Sequence, residues 1–252
     1  MLALLRHVLA MLRNLKLVAL HVVANAVILV SASFWLLIPE ARIWQLLFAT
    51  LSALLILVVF LWLHSGTLAY AVNPTKENFR GSFVIKIWRM VWLFLGLFVL
   101  LWCMNTVGGW MESTWQTAGY IYSKAPAWLR PTTGSQSYVT ALEYSLLILY
   151  WYVIPCVVLP ITAARICGAS FIRGLKILKH WQYWLGMAAT AVLGIWITKL
   201  IVGWIPGTTL TQQTISMAIR LGVVYLIATV AWLLTASVLG YFVRVESQTE
   251  SS

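Results

Sequence analysis

Six long apolar stretches, separated by short polar breaks, dominate the hydrophobic pattern of this 252-residue chain. A helix needs about 20 apolar residues to cross the roughly 30 Å hydrocarbon core of a bilayer. Lipid offers no water to unpaired backbone groups, so spans of this length must be helical. The pattern predicts an all-α, polytopic integral membrane protein in which residues 1–252 form a single transmembrane domain. The predicted spans are 17–38, 43–63, 90–107, 141–164, 182–202 and 217–243, and residues 246–252 are predicted to form a short polar tail.

Proline marks the breaks between several of these spans. Pro39 with the following Glu40 and Ala41 predicts a short return after the first span. Asn73 precedes Pro74, and a residue before proline avoids the helical conformation, so a helix boundary is expected there.

Small residues and prolines also occur within the spans. Pro155 and Pro160 of the fourth span each remove a backbone hydrogen bond and are expected to bend the helix. Gly186, Thr190 and Gly194 recur every fourth residue in the fifth span, a pattern that favours close packing against another helix.

Three segments that precede pairs of spans place apolar and basic residues on opposite helical faces. In the last of them, Phe171, Leu175 and Leu178 share one face. Segments 2–13 and 79–90 repeat this arrangement, which is typical of helices lying in the headgroup region. The sequence therefore predicts three hairpins of spans, each preceded by a cytoplasmic amphipathic helix. The basic residues expected to face lipid are Arg6, Arg13, Arg80, Lys86, Arg89, Arg173, Lys176 and Lys179.

The second and third segments invite a comparison with each other. Aligning Phe79 with Phe171 also aligns Trp92 with Trp184, which is consistent with an internal repeat of roughly ninety residues. The alternative is that any helix of the inner leaflet needs basic and aromatic anchors, and this alternative is favoured.

Segments 78–83 (NFRGSF) and 170–174 (SFIRG) each introduce a pair of spans. This layout resembles a class of bacterial six-span proteins that includes the membrane domain attached to some glycerophosphodiester phosphodiesterases and related domains of unknown function. The resemblance covers most of the chain at the level of architecture, and it implies short cytoplasmic amphipathic helices before the spans. It transfers no catalytic or binding motif to particular residues.

Residues 108–140 form the longest stretch between spans. Aromatic side chains with polar edges favour the headgroup zone, so this outer loop is expected to lie against the membrane face. Its aromatic residues include Trp110, Trp115, Tyr120, Tyr122 and Trp128.

The composition fits a chain whose solvent is lipid: 62% of the residues are hydrophobic, 9% are charged and none is aspartate. A soluble domain could not cover its surface with so few charges. The net charge of +11 does not indicate nucleic acid, because the basic residues lie singly or in small groups beside apolar spans. The expected partners are anionic lipid headgroups, together with other membrane proteins or further copies of the chain.

The basic residues concentrate on one side of the predicted membrane, and the positive-inside rule assigns that side to the cytoplasm. It holds Arg6, Arg13, Lys16, Lys76, Arg80, Lys86, Arg89, Arg165, Arg173, Lys176, Lys179 and Arg244. The opposite side holds only Arg42, Lys124, Arg130, Lys199 and Arg220. Both termini are therefore predicted to be cytoplasmic, in a multi-pass protein of the cell inner membrane.

Polar side chains near or within spans are the candidate site residues, because hydrocarbon makes each of them costly. His21 and Asn25 lie one turn apart, close enough to the membrane boundary for the side chains to reach the headgroups. They could form a proton relay or contact a substrate. A structural hydrogen bond between helices is the favoured interpretation. Glu143 and Arg220, with Lys199 nearby, lie toward outer ends of spans. Glu143 with Arg220 is the sharpest hypothesis for an ion pathway, although snorkelling to the headgroups is favoured.

Familiar catalytic signatures are missing from the sequence, which has no Gly-rich phosphate loop, no HExxH and no GxSxG. The 3 cysteines lack CxxC spacing and the 4 histidines lack metal-ligand spacing, so no metal or cofactor is expected. The leading hypothesis is a non-enzymatic membrane subunit or scaffold. A transporter or permease subunit is the alternative, and a membrane enzyme acting on lipids through Glu112 or Glu143 is the third.

Overall fold

The computed structural model describes residues 1–39, 42–75, 77–207 and 209–249. The chain is 86% helix and the described residues contain no strand, which confirms the all-α prediction. Three expectations from the sequence fall outside the described residues: the break at Glu40 and Ala41, the cation Lys76 and the end of the polar tail, 250–252.

The helices are numbered in chain order. They are α1 (Leu2–Leu12), α2 (Leu15–Trp35), α3 (Ile43–Val72), α4 (Asn78–Ser82), α5 (Ile87–Glu112), α6 (Thr114–Lys124), α7 (Gln136–Ile166), α8 (Phe171–Lys176), α9 (Trp181–Gly203) and α10 (Leu210–Thr249). Six of the described helices are long and apolar enough to cross a membrane, as a multi-pass protein requires; they are α2, α3, α5, α7, α9 and α10.

The helix of the second span runs to Val72, beyond the predicted span end at residue 63. The sequence from His64 to Val72 contains no proline, and most of its side chains are small or apolar, so nothing stops the helix. It ends at Asn73, whose backbone (φ −140°, ψ 83°) is not helical, as expected for a residue before proline.

Two of the spanning helices contain a π-helical segment. In α7 it covers Leu149–Val153, and the proline at 155 follows directly. Proline cannot donate to the carbonyl of Trp151, four residues earlier, and the wider turn accommodates the missing bond. The segment in α9, Val192–Ile197, includes a glycine that lies close to Ala231 of α10.

The segment 79–90 is not one continuous helix. α4 ends at Ser82 and α5 begins at Ile87, with non-helical backbone between them. Trp62 of α3 donates its indole N–H to the carbonyl of Phe83 (2.8 Å), which holds the chain at this interruption. The single amphipathic helix expected here is therefore divided into a short helix and the start of a span.

Residues 108–140, predicted as a loop, are largely helical. α5 extends into this segment, α6 occupies its middle and α7 begins near its end. Trp110, Trp115 and Trp128 are all exposed. The expected contact of these aromatic side chains with the membrane face stays a prediction.

The core lies at the end of the helix bundle where α2 begins and α10 ends, which we call the terminal half; the opposite half is the far half. Tyr70, Tyr183 and Phe242 are the largest fully buried side chains there. Tyr183 donates its hydroxyl to the carbonyl of Cys156 (2.7 Å) and thereby joins α9 to α7. Burial of these rings, with both tyrosine hydroxyls hydrogen-bonded, stabilises this half.

Glycines allow the closest helix contacts. A Cβ atom on Gly240 of α10 would lie 2.3 Å from the carbonyl of Ala71 in α3, so only glycine fits this crossing. Gly186 and Gly194 of α9 face α10, where an added Cβ would lie 3.1 Å from Val238 and from Ala231 respectively. The packing role predicted for these two glycines is confirmed.

Candidate functional site

A buried polar cluster joins α2 to α3 in the terminal half. His21 is fully buried, and its Nε2 atom lies 2.7 Å from the hydroxyl oxygen of Thr67, which is also fully buried. Asn25 lies one turn after His21, with its amide nitrogen 3.4 Å from His21 Nδ1. The structure therefore brings the two predicted residues together, but it places His21 in the protein interior and not within reach of the headgroups.

The hydrogen bonds of this cluster run in one direction. Thr67 donates its hydroxyl proton to the carbonyl of Leu63 (2.7 Å), so its oxygen must accept from Nε2 of His21. Nδ1 of His21 is then free to accept from the amide of Asn25. A neutral His21 satisfies every bond of this chain, and the arrangement is that of a structural link between two helices.

A second histidine extends the cluster toward α10. The ring of His64 meets Trp232 edge to face, with ring centroids 4.9 Å apart, and lies 5.6 Å from the ring of His21. The Nδ1 atom of His64 and the indole N–H of Trp232 are both buried without a hydrogen-bond partner. Nδ1 of His64 is able to accept a hydrogen bond and the indole N–H of Trp232 to donate one, so the core contains an acceptor and a donor without partners.

Sequence reasoning missed Thr67, His64 and Trp232. Had the second span been extended to Asn73, the next residue that stops a helix, His64 and Thr67 would have fallen on one face at i, i+3. Trp232 could not be identified from the sequence, because the sequence does not distinguish a tryptophan that faces lipid from one that faces another helix.

At the far end, Glu143 and Arg220 do not form the predicted ion pair within the described residues. The guanidinium of Arg220 donates to the carbonyls of Val202 (2.6 Å) and Trp204, at the end of α9. These carbonyls lack partners within their helix, and a cation at this end is favourable. Glu143 and Lys199 are exposed, which leaves each within reach of water or headgroups.

A hydrogen-bonded histidine–glutamate pair that the sequence did not indicate joins the last turns of α10 to the segment after α8. His180 Nε2 donates to Oε1 of Glu246 at 2.7 Å. Glu246 had been assigned to a polar tail, but it is buried on a helix that continues to Thr249. The imidazole also packs on the ring of Phe242, with centroids 5.2 Å apart.

The eight basic residues expected to face lipid fall into two groups. Arg89 donates to the carbonyl of Ser82 (3.0 Å), and Arg173 and Lys176 are half-buried and have interaction partners. The other five are exposed. Lys86 and Lys179 have no side-chain partner among the described residues. Arg6 lines a cleft of about 720 Å³ beside α1, and Arg13 and Arg80 line another of about 670 Å³.

No group of three or more His, Cys, Asp or Glu side chains within the described residues could hold a metal ion. The polar cluster and the exposed basic residues are the chemical features of the terminal half. Comparison with known proteins adds no further guide: no family model, curated protein or solved structure matches this chain.

Proposed function

We propose that the chain is a non-enzymatic membrane subunit or scaffold that contacts lipid and partner membrane proteins. The observation that carries this proposal is a groove of about 530 Å³ between α2 and α3 in the far half. Ser31 of α2 and Ser52 of α3 line it together with large apolar side chains. The indole of Trp35 also lines it and already donates to the carbonyl of Ala49 (2.9 Å).

The two serines favour a protein occupant over a lipid chain. Neither side-chain hydroxyl has a hydrogen-bond partner among the described residues. An unpaired hydroxyl facing hydrocarbon is costly, whereas a neighbouring helix supplies both close packing and polar partners. A transmembrane helix of a partner, or of a second copy of this chain, is the occupant we propose.

We further propose the finer architecture expected from the sequence: three hairpins, each introduced by a short helix at the membrane surface. Consecutive spans do contact one another, α2 with α3, α5 with α7 and α9 with α10, which supports this arrangement. The terminal end carries most of the basic residues and is proposed to face the cytoplasm of a cell with this protein in its inner membrane. The resemblance of this layout to the six-span membrane domains named above stays part of the proposal.

The test is purification of the tagged full chain from its native membrane in mild detergent, followed by mass spectrometry and measurement of oligomeric state. We expect a stoichiometric companion, or a second copy, that is lost from the groove-filling variants Ser31→Trp and Ser52→Trp. Leu101→Trp is the matched control, because Leu101 is an exposed apolar residue of α5. Recovery of the chain alone, or equal loss of the companion in the control, would overturn the proposal.

A second candidate function, a transporter or permease subunit, is favoured by the unpaired atoms of His64 and Trp232. Buried polar groups without partners occur where a substrate or proton is to be held. Flux of protons or solutes into proteoliposomes should then fall in His64→Gln, with Lys124→Gln as the control on an exposed side chain. Absence of any flux by the wild-type protein would leave the scaffold as the only proposal.

A further inference from the structure

A cleft of about 720 Å³ lies where α1 packs against the end of α3 and the last turns of α10; we call it the α1 cleft. Its wall contains two arginines from different helices, Arg6 of α1 and Arg244 of α10. The other polar side chains of the wall are His7, Asn73, Thr75, Tyr241 and Gln248.

The charge of the α1 cleft is uncompensated. Neither Arg6 nor Arg244 has a hydrogen-bond or ion-pair partner for its guanidinium among the described residues, and none of the described residues that line the cleft is acidic. Glu246 lies only two residues after Arg244, but two residues turn an α-helix by about 200°, and its carboxylate binds His180 on another face. Two like charges that line one cleft repel each other, and an anion bound between them would relieve this repulsion.

The scaffold of the cleft is fixed by buried contacts. His7 follows Arg6 on α1, is buried, and donates from Nε2 to the carbonyl of Ala71 at the end of α3 (2.7 Å). Its ring meets Tyr241 of α10 edge to face at 5.6 Å. The backbone positions that carry the two arginines are therefore held before any ligand arrives, which lowers the entropic cost of binding.

The mouth of the cleft combines polar and apolar surfaces. Leu2 lines it and is 73% exposed, and Leu5 on the same helix is 50% exposed. An amphipathic helix with such a face lies at the level where acyl chains meet headgroups. A molecule with an anionic group and an apolar tail fits both surfaces at once.

We infer that the α1 cleft binds a phosphate group through Arg6 and Arg244. Guanidinium groups bind phosphate oxygens with paired, charge-assisted hydrogen bonds, and two of them suit a phosphate better than a single carboxylate. The phosphate is carried by an anionic lipid headgroup or by a small soluble phosphate compound. This inference deepens the proposed function by assigning its lipid contact to one place.

A second cleft on the other side of α1 provides an internal comparison. Arg13, Lys16 and Arg80 line it, but Glu77 lines it as well and supplies a counter-charge from within the protein. An anion entering there must compete with a carboxylate. The linings of both clefts carry a net charge of +2, but only the α1 cleft has no acid among its described lining residues, so we assign it as the stronger site.

The experiment uses the full chain in phosphatidylcholine nanodiscs with or without phosphatidylglycerol, and counts retained anionic lipid by native mass spectrometry. Arg6→Gln and Arg244→Gln should each weaken retention about tenfold, the effect of losing one charge-assisted contact. Lys199→Gln removes the same charge from an exposed far-end position and should leave retention unchanged. A second arm measures binding of glycerol phosphate and inorganic phosphate to the protein in neutral detergent.

The two arms distinguish the sources of the phosphate. Retention of phosphatidylglycerol that depends on both arginines assigns a lipid, and arginine-dependent binding of the soluble compounds alone assigns a small phosphate. Binding in neither arm, or binding that Lys199→Gln weakens as much as the arginine variants, overturns the inference. Thermal unfolding of each variant verifies its fold, and recovery of the companion protein is measured separately, so the cleft and the groove are able to fail independently.

Discussion

Gly240 in the terminal half of α10 has no room for a Cβ atom beside Ala71, whereas a Cβ atom on Gly222, in the far half of the same helix, would meet no described atom of another helix within 4 Å. The difference extends to the side chains around them. Buried residues of α10 begin at Thr229 and continue to Glu246, and those of α3 concentrate from Leu61 onward. Apolar side chains of the far half, such as Phe34 and Leu51, are exposed.

Hydrophobicity alone does not locate the core of this protein. Both halves are apolar, because a far half that faces lipid needs the same residue types as a core that faces protein. What separates them is the occurrence of small residues at helix crossings and of polar side chains that bond across helices. Contacts between helices of the chain stabilise the terminal half, whereas the far half exposes apolar side chains that can contact lipid or another protein.

The largest expected effect comes from filling the closest crossing. Gly240→Val should destabilise the protein by about 3 kcal/mol, because its side chain would overlap the Ala71 carbonyl and force α3 and α10 apart. Gly222→Val, the matched change in the far half, should lie within about 0.5 kcal/mol of the wild type. Unfolding in mixed micelles of mild detergent and dodecyl sulfate, followed by tryptophan fluorescence, measures both. Equal effects of the two variants would abolish the distinction between the halves.

The hydrogen-bonded pair of His180 and Glu246 allows a second comparison of the two halves, at acidic residues. Glu246→Ala removes the partner of His180 and should cost about 1 to 2 kcal/mol, since the pair is partly open to solvent. Glu143→Ala removes an exposed glutamate of the far half and should change stability by less than about 0.5 kcal/mol. The same micelle titration reports the difference. If the two variants were equally stable, Glu246 would be contributing as a solvated side chain.

The six spans were predictable because hydrophobic length alone defines them, and the break at Asn73 followed from the proline after it. The contacts of the candidate site were harder to predict from the sequence. His21 and Asn25 were identified as one-turn neighbours, but Thr67 lay beyond the predicted end of its span, and Glu246 lay in what looked like a polar tail. Such pairings depend on which helices meet, and a single sequence carries that information only where a steric or polar requirement is exceptional.

A smaller effect is expected within the polar cluster that joins α2 to α3. His21→Ala and Thr67→Val should each destabilise the protein, and the double variant should show a coupling energy of about 1 kcal/mol. Asn25→Ala should couple more weakly to His21→Ala, because its amide lies 3.4 Å from the ring. Additive effects of His21→Ala and Thr67→Val would mean that the hydrogen bond between them does not stabilise this half.

The smallest effect concerns His7, where the core of the terminal half meets the α1 cleft. Burial lowers the pKa of His7 below its ordinary value of 6.5, the hydrogen bond to the Ala71 carbonyl opposes this, and the charge of Arg244 lowers it further. A depressed folded-state pKa gives stability that is complete above about pH 6.5 and is lost as the pH falls through the folded-state value. Arg244→Gln should therefore raise the pKa of His7 and reduce this loss by a few tenths of a kcal/mol, roughly the size of an exposed charge interaction.

Ring-labelled histidine NMR measures the pKa of His7 directly, and Lys199→Gln is the control because it removes a charge from the other end of the molecule. An anion bound between Arg6 and Arg244 should act in the same direction as Arg244→Gln, since it cancels the positive charge that His7 experiences. Adding phosphate to the wild type should thus raise the pKa of His7, and adding it to Arg244→Gln should raise it less. If neither Arg244→Gln nor added phosphate changes the pKa of His7, the charge of the cleft does not act on the core beside it.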